Sequence, residues 1–149
     1  MRILSILCGV LFIAGCSGSM VGLYETNGPH FIGGTLNEEQ VRESILEGAK
    51  NAGWKAEYHG NTTILATYQI RIHTVQVSID YSDQVYIAQY KSSIAMKMYC
   101  TDWDRDNRKH IVSGIENCPN ARRPVSINAN YKIWIDALVA EIQKSLSTK

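Results

Sequence analysis

The chain has 149 residues and a formal net charge of +1, which is enough for one domain with a modest core and too little for two. Because the charge is near zero and no basic run is present, the chain lacks the electrostatic footprint of a nucleic-acid-binding protein or of a polybasic membrane attachment. Beyond the N-terminus, no apolar stretch is long enough to cross a bilayer.

The N-terminus is typical of an export signal. Met1-Arg2 supplies positive charge, and the apolar run from Ile3 to Ala14 has the length of a secretory signal rather than of a membrane span. The run ends in Ile13-Ala14-Gly15-Cys16, which closely resembles the bacterial lipobox. This resemblance implies cleavage before Cys16, a diacylglycerol on its thiol and an acyl chain on its amine. The alternative is a plain secretory signal with an incidental cysteine.

The lipobox resemblance also implies permanent attachment to a membrane, because one acyl chain binds only marginally and each buried methylene contributes about 0.8 kcal/mol. Ser17 rather than Asp follows the cysteine, which in enterobacterial lipoproteins favours the outer membrane, here its periplasmic side. We expect residues 1–15 to be the signal peptide. Residues 16–34 are rich in Gly and Ser and show neither helical nor strand periodicity, so they are predicted to be a lipidated tether. His30 and Phe31 within it are candidates to dock on the domain.

A first helix is predicted after the tether. Thr35 and Glu38 fit a capping box, in which the Thr hydroxyl accepts from the amide three residues on and the Glu side chain reaches back. Apolar residues at near-helical spacing follow them. Gly53 is a natural C-terminal stop. The pattern predicts a helix over residues 37–52, with its charged side in solvent.

Four strands are predicted next, and the clearest signal lies between His73 and Tyr90. Residues 54–58 alternate as a short strand, residues 59–61 form a turn, and residues 62–68 are rich in β-branched side chains. From residue 73 to residue 81 every second residue is a candidate for one buried face. A polar turn at residues 82–84 separates this strand from a last one at 85–90. Residues 94–99 either continue that strand after a bulge or start a separate extended piece. The four strands should form an antiparallel meander.

Residues 99–126 are predicted to be an insertion, since most of this segment is polar or turn-forming. It contains Cys100 and Cys118, which an oxidising periplasm should join in a disulfide worth roughly 3 kcal/mol. The alternatives are weaker, because a thiol nucleophile needs a positioned His base and a metal site needs more ligands than His110 adds. A run of alternate aspartates imitates a calcium loop but lacks the required Gly and Glu. We therefore predict no metal and no cofactor.

A last helix is predicted over residues 129–146, with one broad apolar stripe. Both helices need a surface to cover, and one face of the meander supplies it. The sequence therefore predicts an α+β fold over residues 35–149: a two-layer sandwich in which a four-stranded antiparallel meander is covered on one face by two helices, in the order α-β-β-β-β-α.

Several short motifs resemble a group of small Gram-negative lipoproteins of unknown function. The matching segments are Gly53-Trp54, Arg71-Ile72-His73, the alternating strand that ends Ile79-Asp80-Tyr81, Tyr86-Ile87-Ala88-Gln89-Tyr90, Ser93, and Tyr131-Lys132-Ile133-Trp134-Ile135. The likeness covers residues 41–146 apart from the insertion. It departs from the group at Ile94-Ala95, where Asn-Leu is expected, and at Lys132, where Asn is expected. The resemblance implies the fold and the location and supplies no activity.

Two sets of side chains are candidates for binding. Arg71 and His73 are two residues apart, so on an extended strand they share a face and would bind an anionic group or pair within a buried network. Tyr86 and Tyr90 also share a face, which if exposed would receive a protein or a glycan. Ordinary cross-strand pairing is the alternative for the tyrosines.

Two functions follow as hypotheses, and neither is enzymatic because the sequence contains no catalytic constellation. The first is a membrane-anchored interaction or accessory module of the cell envelope, which holds another protein or the cell wall. An inhibitor of host hydrolases that projects the disulfide loop is a variant of it. The second is a binder of a small or anionic ligand near Arg71 and His73. A pocket beside Arg71 would favour the second, and an open sheet edge or flat patch the first.

Overall fold

The computed structural model of the chain describes residues 20–23, 28–101, 109–112 and 125–149. These residues form two helices and two antiparallel sheets, which confirms the α+β class. The elements in chain order are β1 Met20–Gly22, β2 Pro29–Phe31, α1 Glu38–Asn51, β3 Lys55–Tyr58, β4 Thr63–Ile70, β5 His73–Tyr81, β6 Val85–Ile94, β7 Met98–Thr101, β8 Lys109–Val112, β9 Val125–Asn128 and α2 Asn130–Leu146.

The larger sheet has five strands in the order β2-β6-β5-β4-β3. Its strands β3 to β6 follow one another as the predicted meander. The prediction of four strands is nevertheless wrong, because β2 pairs antiparallel with the start of β6, with Phe31 opposite Val85. A three-residue strand with a proline carries no periodicity that sequence reading would detect.

One face of this sheet, called here the inner face, packs against both helices. Val75, Val77 and Ile79 of β5 are completely buried, as the alternating pattern predicts. Ile64 and Ala88 lie on either side of Ile79 in the neighbouring strands. The opposite side of the sheet is called the outer face, and none of the described elements covers it as the helices cover the inner face.

The β4–β5 connection is a two-residue turn, since Ile70 pairs with His73. Arg71 takes the left-handed conformation there, with φ of 54°, as tight hairpin turns require. Along β6, the pairing with β5 shifts beside Val77, because Lys91 is an extra residue between the partners of Gln76 and Val77. This β-bulge lets β6 continue to Ile94. The observed strand is therefore four residues longer than the one predicted at 85–90.

The helices match the predicted ranges within two residues, but the cap of α1 differs. Asn37, not Thr35, is the N-cap: its side chain accepts from the backbone N–H of Gln40, and the Gln40 side chain accepts from the Asn37 N–H, both at 2.9 Å. The capping box is thus shifted by two residues. The two helices approach closely where Gly48 faces the backbone of Ile142.

The smaller sheet was not predicted. Its strand order is β1-β9-β7-β8, so it joins Met20–Gly22 to three strands from the supposed insertion. The description of residues 16–34 as a tether is therefore wrong for β1 and β2, and Leu23 is only 2% exposed. The described residues of the segment 99–126 likewise belong to the fold, because they lie in β7, β8 and β9. The Tyr90 hydroxyl, 3.4 Å from the sulfur of Met98, connects the two sheets.

Candidate functional site

Arg71 and His73 do not share a strand face, contrary to the prediction. Arg71 is exposed in the β4–β5 turn, whereas His73 begins β5 on the inner face. His73 Nδ1 lies 2.9 Å from the backbone oxygen of Ala95. Its ring lies 6.5 Å from that of Trp134. These contacts give His73 a structural role at the end of β6, and they hold its ring away from the Arg71 turn.

A row of aromatic rings continues from His73 across the inner face. Trp134 of α2 lies 5.2 Å from Tyr68, and Tyr68 lies 5.2 Å from Trp54, centroid to centroid. The row fixes the first turns of α2 over the ends of β4 and β5. The sequence predicts the strand of Trp54 and the helix of Trp134, but it does not predict that both contact Tyr68. That contact depends on where the helix lies on the sheet.

Tyr86 lies in the core rather than on an exposed face. Its side chain is 0% exposed, and its hydroxyl donates to the backbone oxygen of Val139 at 3.5 Å. Burial raises the pKa of Tyr86, because the phenolate would lose its hydration. His30 of β2 stacks on this ring at 4.9 Å. Tyr86 is therefore a packing residue between sheet and helix.

Tyr90 also faces inward. Its hydroxyl lies 2.8 Å from Ser93 Oγ, and its ring meets Tyr131 edge-on at 5.7 Å. Of the two alternatives for these tyrosines, the exposed binding face is therefore wrong, and each ring lies opposite a buried residue of β5. The helices cover the face that carries both residues, since the register places them opposite Tyr81 and Val77.

His30 illustrates how tightly β2 is held on the sheet. Its Nε2 is buried and has no hydrogen-bond partner among the described residues. Burial lowers the pKa of His30 by disfavouring the charged ring. The sequence offers His30 as a docking residue, and the structure shows that its docking partner is Tyr86.

The outer face of the larger sheet is the surface that the described helices leave open. Alternation and register place thirteen side chains of its three central strands there: Thr63, Leu65, Thr67, Gln69, Thr74, Gln76, Ser78, Asp80, Val85, Ile87, Gln89, Ser92 and Ile94. Asp80 is the single charge among them, and its carboxylate accepts from the Thr63 hydroxyl at 2.7 Å. At the β2 edge of the same face, the Phe31 side chain is 81% exposed.

A shallow groove of about 250 Å³ lies beside this edge, lined by Phe31, Ile32, Gly33, Gln143, Leu146 and Ser147. It is at the end of the sheet opposite to Arg71. The two ends are separated by the ten residues of β6, which corresponds to about 30 Å. The groove and Arg71 therefore belong to different surfaces.

Several predicted sites lie outside the described residues. They include the signal peptide and Cys16, together with Cys118 and the side chain of Cys100, so lipidation and the disulfide stay predictions. Within the described ranges, no group of His, Cys, Asp and Glu side chains is suited to hold a metal ion. Neither described helix combines the length and the hydropathy that a membrane span requires.

Comparison with known proteins gives no relative. No family model, curated protein or solved structure matches the chain. A function has to be inferred from the chain's own surfaces.

Proposed function

We propose that this protein is a lipid-anchored interaction module of the bacterial cell envelope, and that it contacts a partner protein through the outer face of the larger sheet. The observation that carries the proposal is this uncovered face with the exposed Phe31 at its edge. The lipobox ending in Cys16 supports the anchor, and Ser17 favours the outer membrane.

The composition of the outer face suits a protein partner. The cores of protein interfaces are depleted of charge, and aromatic side chains are enriched in them. Asp80 is already bonded to Thr63. At the β3 edge, Lys55 and Glu57 pair with each other at 2.6 Å. A partner would therefore meet hydroxyl and amide groups around half-buried apolar residues such as Leu65 and Ile87, with little charge to desolvate.

The alternative, a small or anionic ligand near Arg71 and His73, has less support. His73 is already engaged by Ala95 and Trp134. The groove lined by Phe31 and Leu146 lies at the other end of the sheet and does not include Arg71 or His73. A single exposed arginine in a turn offers an anion only the N–H donors of one guanidinium group. Ligand sites contain several polar groups that converge on the ligand.

The anchor is tested by fractionating a Gram-negative host that expresses the full chain. We expect the protein in the membrane pellet and Cys16→Ser in the soluble fraction or uncleaved. Intact mass of the N-terminal peptide should show the added lipid. A mature N-terminus elsewhere, or an unmodified Cys16, would contradict the lipid anchor.

The interaction surface is tested by affinity capture after chemical cross-linking of intact envelopes, with three variants of the full chain. Gln89→Arg introduces a charge on the outer face, and Phe31→Ser removes the aromatic side chain at its edge. Ala140→Arg introduces the same charge on the exposed side of α2 and serves as the matched control.

We expect one protein in near-equal amount with the wild type and with Ala140→Arg, and a loss of at least fivefold with the two outer-face variants. Equal capture by all four chains would place the interaction elsewhere. Failure to capture any partner would reject the interaction module, and calorimetry with small anions on wild type and Arg71→Gln would then test the alternative.

A further inference from the structure

The exposed large apolar side chains of the described chain are unevenly distributed. Four of the six are isoleucines: Ile72 is 73% exposed, Ile94 66%, Ile133 63% and Ile70 39%. All four belong to segments that meet at the β4–β5 turn. The other two, Phe31 and Tyr58, belong to strand positions toward the opposite end of the sheet.

Direct contacts bring these segments together. Ile70 and Ile72 flank the turn itself, and Trp134, next to Ile133, lies against Tyr68 at 5.2 Å. Ala95, which follows Ile94, is 2.9 Å from the ring of His73. We call this region, defined by Ile70, Arg71, Ile72, Ile94, Lys97 and Ile133, the isoleucine end.

Among the described residues, the isoleucine end is also cationic. Arg71 and Lys97 are both exposed. The sequence has no Asp or Glu from Gln69 to Thr74 or from Lys91 to Thr101. In the first turns of α2, the nearest carboxylate, Asp136, is held by Lys132 at 2.7 Å. Carboxylates collect at the other end of the sheet, where Glu38 and Glu39 begin α1 and Asp83 lies in the β5–β6 turn.

The predicted lipid anchor reaches the same end. β1 runs antiparallel to β9 with Met20 opposite Asn128, the residue whose N–H donates to the backbone oxygen of Lys97 at 3.2 Å. Cys16 is four residues before Met20. Even a fully extended chain places it within about 14 Å of Met20. The anchor therefore cannot hold the domain far from the bilayer.

We infer that the isoleucine end docks on the anionic phospholipid surface in which the chain is anchored. Isoleucine side chains enter the interfacial region, where leaving water is favourable, while Arg71 and Lys97 meet lipid phosphates. The carboxylates and Phe31 then point away from the membrane. Ile94 belongs to the membrane-facing end of the outer face, and the rest of that face, toward Val85 and the β2 edge, stays accessible to a partner. This inference rests on the proposed membrane location, and the adduct ratio below tests it separately.

The test uses photo-cross-linking of the full chain, processed by the host and reconstituted in vesicles of phosphatidylethanolamine and phosphatidylglycerol at a ratio of about seven to three. The photoreactive amino acid p-benzoylphenylalanine replaces Ile72 or Ile133, and Phe31 or Tyr58 in the matched controls. Lipid adducts are counted by mass spectrometry. We expect at least fivefold more adducts at the two isoleucine positions than at the two controls.

A charge reversal tests the cationic part. Arg71→Glu should lower the adduct yield at position 72 about threefold, whereas Lys144→Glu, at the other end of α2, should leave it unchanged. Equal yields at all four positions, higher yields at the controls, or no effect of Arg71→Glu would overturn the docking. The mass of the N-terminal peptide reports lipidation at Cys16 independently. A chain without lipid would reject the anchor, and the adduct ratio on the same vesicles would still decide the docking.

Discussion

At the scale of single residues, Gly48 is explained by its tertiary contacts and not by its local helix propensity. Gly48 is in the interior of α1, where glycine is normally a poor choice by about 1 kcal/mol. Its position is explained by α2, since a Cβ there would lie 2.5 Å from Ile142 Cα and 2.6 Å from its nitrogen. The absence of a side chain is what allows the two helix backbones to approach.

We expect Gly48→Ala to destabilise the fold by about 2 kcal/mol, because the backbone overlap outweighs the gain in helix propensity. Urea unfolding followed by circular dichroism measures the change in the free energy of unfolding. Gly33→Ala is the control, since nothing lies within 4 Å of a Cβ there. A stabilised Gly48→Ala protein would show that the helices separate without cost.

His30 should make stability depend on pH. Burial lowers its pKa below the ordinary value of 6.5, so the unfolded chain binds more protons than the folded protein between the two pKa values. The free energy of unfolding therefore rises with pH in that window and falls as pH drops through 6.5 toward the folded-state pKa. His30→Phe keeps a ring against Tyr86 and should weaken this dependence.

The measurement for His30 is urea unfolding of the wild type and His30→Phe at two pH values, one on each side of the window. His59→Phe, in the exposed β3–β4 turn, is the matched control and should keep the wild-type dependence. If His30→Phe and the wild type lose the same free energy of unfolding on acidification, the half-buried ring of His30 is not the source of the pH dependence.

At the scale of secondary-structure elements, α1 shows how a correct element can carry an incorrect detail. Both Thr35 and Asn37 are good N-cap residues, and each has a Glu or Gln three positions later. The structure selects Asn37 with Gln40. Val41 in the first turns after this cap is completely buried, and Leu36 just before it packs against the core.

Asn37→Ala should lower the free energy of unfolding by about 1 kcal/mol through loss of the cap. Thr35→Ala is the matched control and should change it by less than about 0.5 kcal/mol, as exposed substitutions away from special contacts do. Thermal and urea unfolding of both variants would check this. A larger loss of unfolding free energy with Thr35→Ala than with Asn37→Ala would support the capping box predicted from the sequence.

At the scale of the whole molecule, the main result is that the segment before α1 belongs to the fold. β1 completes one sheet and β2 the other, and Leu23 between them is buried in the core. Cys16 is only four residues before Met20. The proposed docking of the isoleucine end on the membrane depends on this short separation.

Leu23→Ala should cost about 3 kcal/mol, as truncation of a buried leucine does. Phe31→Ala removes an apolar side chain of similar size from the same segment, yet it should cost little because that side chain is exposed. Urea unfolding of the two variants distinguishes a segment that packs into the core from a flexible tether. A flexible tether would make both substitutions neutral.

The sequence by itself determined the two helices, the meander of β3 to β6 and the buried face of β5, because these depend on periodicity and on turn residues a few positions apart. Only the tertiary structure decided that Tyr86 and Tyr90 face inward, that Arg71 lies in a turn, and that β1 and β2 join the sheets. Which face the helices cover, and which short segments pair, depends on contacts between residues far apart in the chain. No local pattern specifies those contacts.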